Sequence, residues 1–264
     1  MNEDQGWSGD EDGARMSKND HSNRKKFHIG TSGWHYAHWK GPFYPEDLEA
    51  GRYLRYYLDR FRTVEINHTF YKMPGVETLR EWKETVTDDF IFSVKASRYI
   101  THMKKLKDPV DPVSNFLEKI RVLGASLGPI LFQLPPNWGF NPDRLESFLD
   151  SLPEGHRYAF EFRDPSWFDE RAYRLLSQNS AAFCIYDFDR RQSPKEITAD
   201  FIYIRLHGPH GPYRGQYSTQ SLSGWAGALS AWKGEVDEIF CYFDNDQEGF
   251  APRDALRLKK MLGE

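Results

Sequence analysis

The chain has 264 residues, a formal net charge of −4 and 39% hydrophobic residues, which suits one large domain or two small ones with a sizeable core. That balance excludes the overall basic field of a nucleic-acid binder, and no apolar run approaches the ~18 residues of a membrane helix. The two cysteines, Cys184 and Cys241, fit no metal spacing and no disulfide framework, which agrees with a reducing cytoplasm.

Residues 1–26 are rich in Asp, Glu, Ser, Asn and Gly and hold no apolar h-region. They read as a disordered N-terminal tail, not a secretory signal. Residues 27–264 then read as a single domain. FHIGTSG from Phe27 is a short strand, and the aromatic loop WHYAHWKGPFYPEDL follows it. Leu48 to Phe61 has helical spacing, TVEINHTFY is the second strand, and Gly75 to Val86 is the second helix. FIFSVKASR is the third strand, Val113 to Leu127 a helix, PILFQLP the fourth strand, and Asn141 to Leu152 a capped helix. The fifth strand lies in RYAFEFRDPSWF and is stopped by Asp164-Pro165, because proline has no N–H for a ladder. Glu170 to Gln178 is its helix. AAFCIYD is the sixth strand, with an irregular stretch after it in place of a helix. FIYIRLHG is the seventh, followed by a glycine-rich loop and a helix around Leu222 to Trp232. EIFCYFDND is the eighth, and Pro252 to Leu262 closes the chain as a helix.

Strands alternating with helices argue for a parallel sheet. Eight such units in roughly 240 residues is the size of a closed TIM-like (β/α)8 barrel, ~250 residues typically, with the helix after strand six reduced or missing. No first turn carries the glycine fingerprint of an open dinucleotide-binding sheet. Period-two alternation splits the strands into an apolar side, placed against the helices, and a side that points into the barrel. The inward side carries Glu65 and Asn67, Lys95, Gln133, Glu161 and Arg163, Arg205 and His207, Tyr242 and Asp244. Both cysteines fall on the apolar side by this reading, on strands that are not neighbours, as buried thiols under helices.

Inward charges near the C-terminal ends of barrel strands stand where such folds place their sites. Buried there, they must pair with each other or with a ligand. A closed internal network is one outcome, since Glu65, Glu161 and Asp244 nearly balance Lys95, Arg163 and Arg205. Glu65 and Glu161 also form a candidate glycosidase pair. Glu65, Glu161, His207 and Asp244 are ligand types for a hard divalent metal, but three adjacent cations compete for the same carboxylates. Lys95 is a Schiff-base lysine if desolvated; beside Glu65 it is more simply an ion-pair partner. Arg163, Arg205 and Lys95 together form an anion clamp, because guanidinium forks hold carboxylate or phosphate. Aromatic residues crowd the loops at the same end: Trp34, His35, Tyr36, His38, Trp39, Phe70, Tyr71, Trp138, Trp167, Phe168, Tyr213 and Tyr217. They favour a polyol or nucleotide-like ligand, or pack as a lid over the mouth.

GTSGWHYAHWKGPFYP, TVEINHTFYKMP, FSVKASRYITH, LFQLPP, EFRDPSWF, YIRLHGP and YFDND occur in that order from Phe27 to Leu262. With them the chain resembles the YecE-like family, domain of unknown function 72. The resemblance implies a TIM-barrel-like fold and brings no established activity. Its motif positions fall on Gly33, Trp34, Glu65, Asn67, Phe70, Tyr71, Lys95, Arg98, Gln133, Glu161, Phe162, Arg163, Arg205, His207, Gly208, Asn245 and Asp246. The chain departs from the family pattern at His68, Asp164 and Asp244, where a small residue, a histidine and an asparagine are more usual.

The expectation is a cytoplasmic enzyme, a hydrolase, lyase or isomerase. Its substrate is a small polar anion, a sugar phosphate or sugar acid, in the barrel mouth. Glu65, Glu161 and His207 are the candidate catalytic residues. Asn67, Tyr71, Lys95, Gln133, Arg163, Arg205, Asp244, Asn245 and Trp34 are the candidate substrate-binding residues. Neither metal nor cofactor is called for, and the sequence does not set the oligomeric state. The alternatives are a metal-dependent phosphodiesterase or endonuclease-like activity on nucleic acid and a non-catalytic binding module. The first rests on fold analogy alone.

Overall fold

A computed structural model describes residues 27–264; the expected tail, 1–26, lies outside them. The barrel strands are β1 (Phe27–Thr31), β2 (Thr63–Ile66), β3 (Ile91–Lys95), β4 (Leu127–Gln133), β5 (Tyr158–Glu161) and β6 (Ala182–Phe188), then β8 (Phe201–Leu206) and β9 (Glu238–Phe243). Between them β7 (Arg191–Gln192) folds back on β6 as a short antiparallel hairpin. The parallel order β1-β9-β8-β6-β5-β4-β3-β2 brings β1 round to β2, which gives a TIM-like barrel. The helices are α1 (Tyr53–Leu58), α2 (Val76–Thr85), α3 (Val110–Ile120), α4 (Pro142–Leu149), α5 (Glu170–Gln178), α6 (Thr219–Trp232) and α7 (Phe250–Leu262). Among the described residues no helix separates β6 from β8. There the hydroxyls of Ser193 and Thr198 accept from the amides of Tyr186 and Phe183.

Closure between β1 and β2 is made by few groups. Ser32 and Glu65 form an isolated parallel bridge, and the Gly33 amide donates to the Glu65 carbonyl at 2.8 Å. Below that bridge the Tyr57 hydroxyl stands in for ladder bonds. It accepts from the Thr31 amide and hydroxyl and donates to the Thr63 carbonyl, each at 3.0 Å. Gly30 makes the approach feasible, since a Cβ there would lie 2.3 Å from the Thr63 carbonyl oxygen.

Two helices differ most from expectation. α1 begins only at Tyr53, after a 3-10 turn over Ala50–Arg52 that contains Gly51, a weak helix former. α3 begins earlier, at Val110, with Pro112 tolerated in its first turn, and ends at Ile120 before a 3-10 stretch to Ser126. α4 is capped as expected, the Asn141 side chain accepting from the Arg144 amide.

The main core lies between barrel and helices, with Phe92, Phe132, Phe160, Phe162 and Ile204 facing outward among helix residues such as Leu145, Phe148 and Leu176. A smaller core fills the barrel: Leu131, Ala159, Ala182, Cys184, Phe201, Tyr203, Phe240 and Tyr242. Cys184 therefore points into the barrel, while Cys241 lies under the helices. The placement of both cysteines on the helix side is corrected for Cys184. Strand six is apolar on both faces, so alternation there carries no facing signal. Tyr242 crosses the interior, its hydroxyl 2.7 Å from those of Thr63 and Ser93. At the N-terminal end Glu238 is held by His28 at 2.8 Å and by Arg157.

Candidate functional site

Above the Tyr203 and Tyr242 layer the interior turns ionic, and Arg205 is its hub. Only 1% of this residue is exposed. Its Nη1 donates to Glu161 Oε2 at 2.9 Å; its Nη2 donates to Glu65 Oε1 at 2.8 Å and Asp244 Oδ2 at 2.9 Å. Burial disfavours its charge, but the three carboxylates outweigh this and push its pKa further up. Glu65 is completed by the hydroxyls of Ser32 at 2.5 Å and Tyr203 at 2.7 Å. Glu161 takes Arg163 Nε on its other oxygen. Burial raises the Glu161 pKa, but Arg163 and Arg205 reverse this and hold the carboxyl well below its usual range.

These contacts bear on the expected roles. Glu65 and Glu161 are both buried and bridged by Arg205. The bridge occupies the space a glycosidic bond would need between a carboxylate pair. Arg205 has no donor to spare for an external anion; the expected clamp keeps Arg163 and Lys95. Arg163 spends Nε on Glu161 and Nη2 on His207, and its guanidinium stacks 3.9 Å from the Phe188 ring. Among the described residues its Nη1 has no partner. His207 Nε2 accepts that Arg163 bond at 3.0 Å, since a guanidinium can only donate. In the neutral ring this assigns the proton to Nδ1, which sits 3.0 Å from Asp244 Oδ2 but is not aligned for a hydrogen bond. Burial, Arg205 and Arg163 all push the His207 pKa well down, so the ring is neutral and its lone pair is engaged.

Two groups at the mouth are differently placed. Lys95 is 5% exposed, and its Nζ lies 4.2 Å from the Phe70 ring centroid. Among the described residues it has no carboxylate within 4.0 Å, because Arg205, Ser32 and Tyr203 already occupy Glu65. Burial first, and Arg205 second, lower its pKa to about 8. Asp244 uses Oδ2 for Arg205, and its Oδ1 takes no hydrogen bond among the described residues. Burial raises its pKa, partly offset by Arg205 and Lys95. A lysine shifted down and a carboxyl shifted up at one strand-end cluster are the kind of pair that carries protons.

A cleft of about 640 Å³ opens beside the mouth, between the loops after β1 and β2. Trp34, Tyr36, Asn67, Tyr71, Met73 and Trp82 line it. Asn67 borders it with a buried Oδ1 that has no partner among the described residues. Tyr71 is 69% exposed, whereas Trp34 packs edge-on to Trp82 at 4.8 Å. Gln133 stands beside Glu161 in register. Asn245 is scaffold: its Nδ2 donates to the Gly215 carbonyl and Asp254 at 2.9 Å, clipping the glycine-rich loop to α7. Gly208 in that loop has φ +108°, and a Cβ there would lie 2.3 Å from the Arg214 carbonyl oxygen. Several expected mouth aromatics are packing groups: Trp39, Trp167 and Tyr217 are buried, and Trp167 stacks on Phe162.

Sequence reasoning passed over Ser32, Tyr203, Phe188 and His102. Tyr203 lies two residues before the inward Arg205, so parity could have found it. Ser32, Phe188 and His102 carry no such signal. Among the described residues no three His, Cys, Asp or Glu side chains are grouped to hold a metal ion.

The family described as "Protein of unknown function DUF72" matches residues 28–264. The Escherichia coli K12 protein YecE is 37% identical over 118 residues, 44% of this chain and 43% of YecE, so the match spans under half of that relative. Bacillus subtilis YunF is 22% identical over 89% of this chain and 94% of its own. The crystal structure of a Thermotoga maritima DUF72 protein superimposes with a TM-score of 0.83 at 31% identity, covering 91% of this chain and all of that one. An Enterococcus faecalis DUF72 structure gives a TM-score of 0.78 at 19% identity, covering 90% and 96%, a likeness of fold.

Proposed function

The chain belongs to the DUF72 family, and on that premise we propose that it is an enzyme acting on a small polar anion at the C-terminal mouth of its barrel. The anionic group sits at Arg163, and Lys95 and Asp244 face the reacting end. The observation that carries this is the uneven use of the inward charges. Arg205 is saturated by three carboxylates. Among the described residues Arg163 keeps Nη1 open, and Lys95 is left with an aromatic face alone. A network built only for stability would spend its cations on its carboxylates. Here two of the three cations hold something back, and both stand at the mouth.

The roles follow from those environments. Arg163 is pre-positioned by Glu161, His207 and the Phe188 ring, so binding costs it little side-chain freedom. Asp244 is the candidate proton-transfer group, having a free oxygen and a raised pKa. Glu161, Glu65 and His207 act through the groups they hold. The cleft with Asn67 and Tyr71 gives room for a polyol chain beside the mouth.

The test is a thermal-shift screen over phosphate, sugar phosphates and sugar acids on wild type and Arg163→Lys. A bound anion stabilises the wild type by ~2.7 kcal/mol at a hundredfold excess over Kd. Arg163→Lys folds and loses most of that response. If no anion stabilises the wild type, the inward charges are a structural network and the proposal fails.

A further inference from the structure

Resting on the reading above, we propose that Lys95 is a covalent nucleophile that forms a Schiff base with an aldehyde or ketone bearing a carboxylate or phosphate. The substrate class is thereby an anionic carbonyl compound, such as a 2-oxo acid or a keto-sugar phosphate. Three observations place the amine for this. Among the described residues its Nζ has no hydrogen-bond or ion-pair partner, and it lies 4.2 Å from the centroid of the Phe70 ring. Glu65, the obvious ion-pair partner, is filled by Arg205, Ser32 and Tyr203. The amine is also not sealed: the buried polar atoms left without a partner among the described residues are Asn67 Oδ1, His207 Nδ1 and Asn245 Oδ1, and Lys95 Nζ is not one of them.

The surroundings are built to keep that arrangement. Thr69 Oγ1 donates to the Lys95 carbonyl at 2.6 Å, which ties the 3-10 turn carrying Phe70 to the end of β3. His102 packs edge-on against Phe70 at 4.9 Å. Burial and the charges of Lys95 and Arg98 lower the His102 pKa to about 4, so it adds no charge near neutrality. The charged groups that act on Lys95 are Arg205, Glu161, Glu65 and Asp244, and burial together with Arg205 outweighs the three carboxylates. A desolvated amine of this kind has a nucleophilic lone pair at mildly alkaline pH.

The step balances without any redox partner. Neutral Lys95 Nζ attacks the carbonyl carbon, a C–N bond forms, the carbonyl π pair moves to oxygen, and one of the two nitrogen protons passes to that oxygen to give the carbinolamine. The Asp244 carboxylate, the candidate proton-transfer group, takes the second nitrogen proton and delivers it to the hydroxyl, which leaves as water. The nitrogen lone pair closes the C=N bond, giving an imine and one water, with Asp244 returned to its starting state. Arg163 meanwhile holds the anionic group.

The test is reductive trapping. Wild-type protein is incubated near pH 8 with pyruvate or dihydroxyacetone phosphate and treated with sodium borohydride. Intact mass and peptide mapping locate the adduct. Lactate and glycerol phosphate, anions without a carbonyl, are the controls. The expected result is one reduced adduct per chain on the Lys95 peptide, none with the controls, and none in Lys95→Met. The mapping is done on wild type, so it stands even where Lys95→Met folds poorly. Adducts spread over exposed lysines such as Lys72, or no adduct, overturn the Schiff base. If anions still raise the melting temperature in that case, the anion site survives and only the covalent step is lost. If they do not, both readings fall.

Discussion

Replacing Arg205 by methionine tests whether the barrel's ionic layer is organised around one guanidinium. Arg205 lies within 2.9 Å of Glu65, Glu161 and Asp244, all buried. In Arg205→Met, Glu161 keeps Arg163 and Glu65 keeps the hydroxyls of Ser32 and Tyr203. Among the described residues Asp244 keeps only the off-axis edge of His207. Removing one partner of a buried pair costs ~3–5 kcal/mol, because an uncompensated charge stays behind. That is a large part of the ~5–15 kcal/mol that holds a domain folded. For a chain of this size it lowers Tm by ~6–20 °C, at ~2–4 °C per kcal/mol. The assay is urea unfolding followed by circular dichroism, with m compared between variants. Adding Glu65→Gln to Arg205→Met should recover ~1–3 kcal/mol, since the second change removes one stranded charge. A loss under ~1 kcal/mol for Arg205→Met, or no recovery in the double variant, would refute the hub.

Gly30→Ala should destabilise by ~1–3 kcal/mol in the same assay, because its Cβ would meet the Thr63 carbonyl oxygen at 2.3 Å; an unchanged midpoint would mean β1 and β2 do not close as described. Glu238 has its pKa lowered to about 2: burial raises it, but His28 and Arg157 outweigh that. A depressed carboxyl contributes stability that is present above its unfolded pKa and lost as pH falls through the folded one. The wild-type urea midpoint should thus fall between pH ~4.5 and ~2 more steeply than that of Glu238→Gln; parallel curves would contradict the pairing. Cys184 and Cys241 are fully buried and burial pushes both thiols up. Neither should react with Ellman's reagent in the native protein, and both should in urea; fast native labelling would place a thiol at the surface.

The alternation in RYAFEFRDPSWF places Glu161, the last residue of β5, and Arg163, two residues beyond it, on one side, and they do pair. Parity likewise puts Glu65, Lys95, Arg205, Tyr242 and Asp244 toward the interior. Parity names a side and not a height, so which carboxylate meets which cation depends on the stagger of eight strands. Hence Lys95 reads as the partner of Glu65 in sequence, while Arg205, from across the barrel, takes that place. Cys184 shows the other limit. Ala182 and Cys184 face one way and Phe183 and Ile185 the other, and both sets are apolar enough to be core. Helix ends shift where local residues compete with periodicity, as Gly51 does before α1.

The central claim, that Arg163 holds an anion at the mouth while Arg205 does not, is met most directly by isothermal titration of the best stabilising anion. The account predicts one site per chain in the wild type and, in Arg163→Lys, a Kd weaker by tenfold or more, ~1.4 kcal/mol. Equal affinity in the two proteins, or no heat of binding in the wild type, would contradict it.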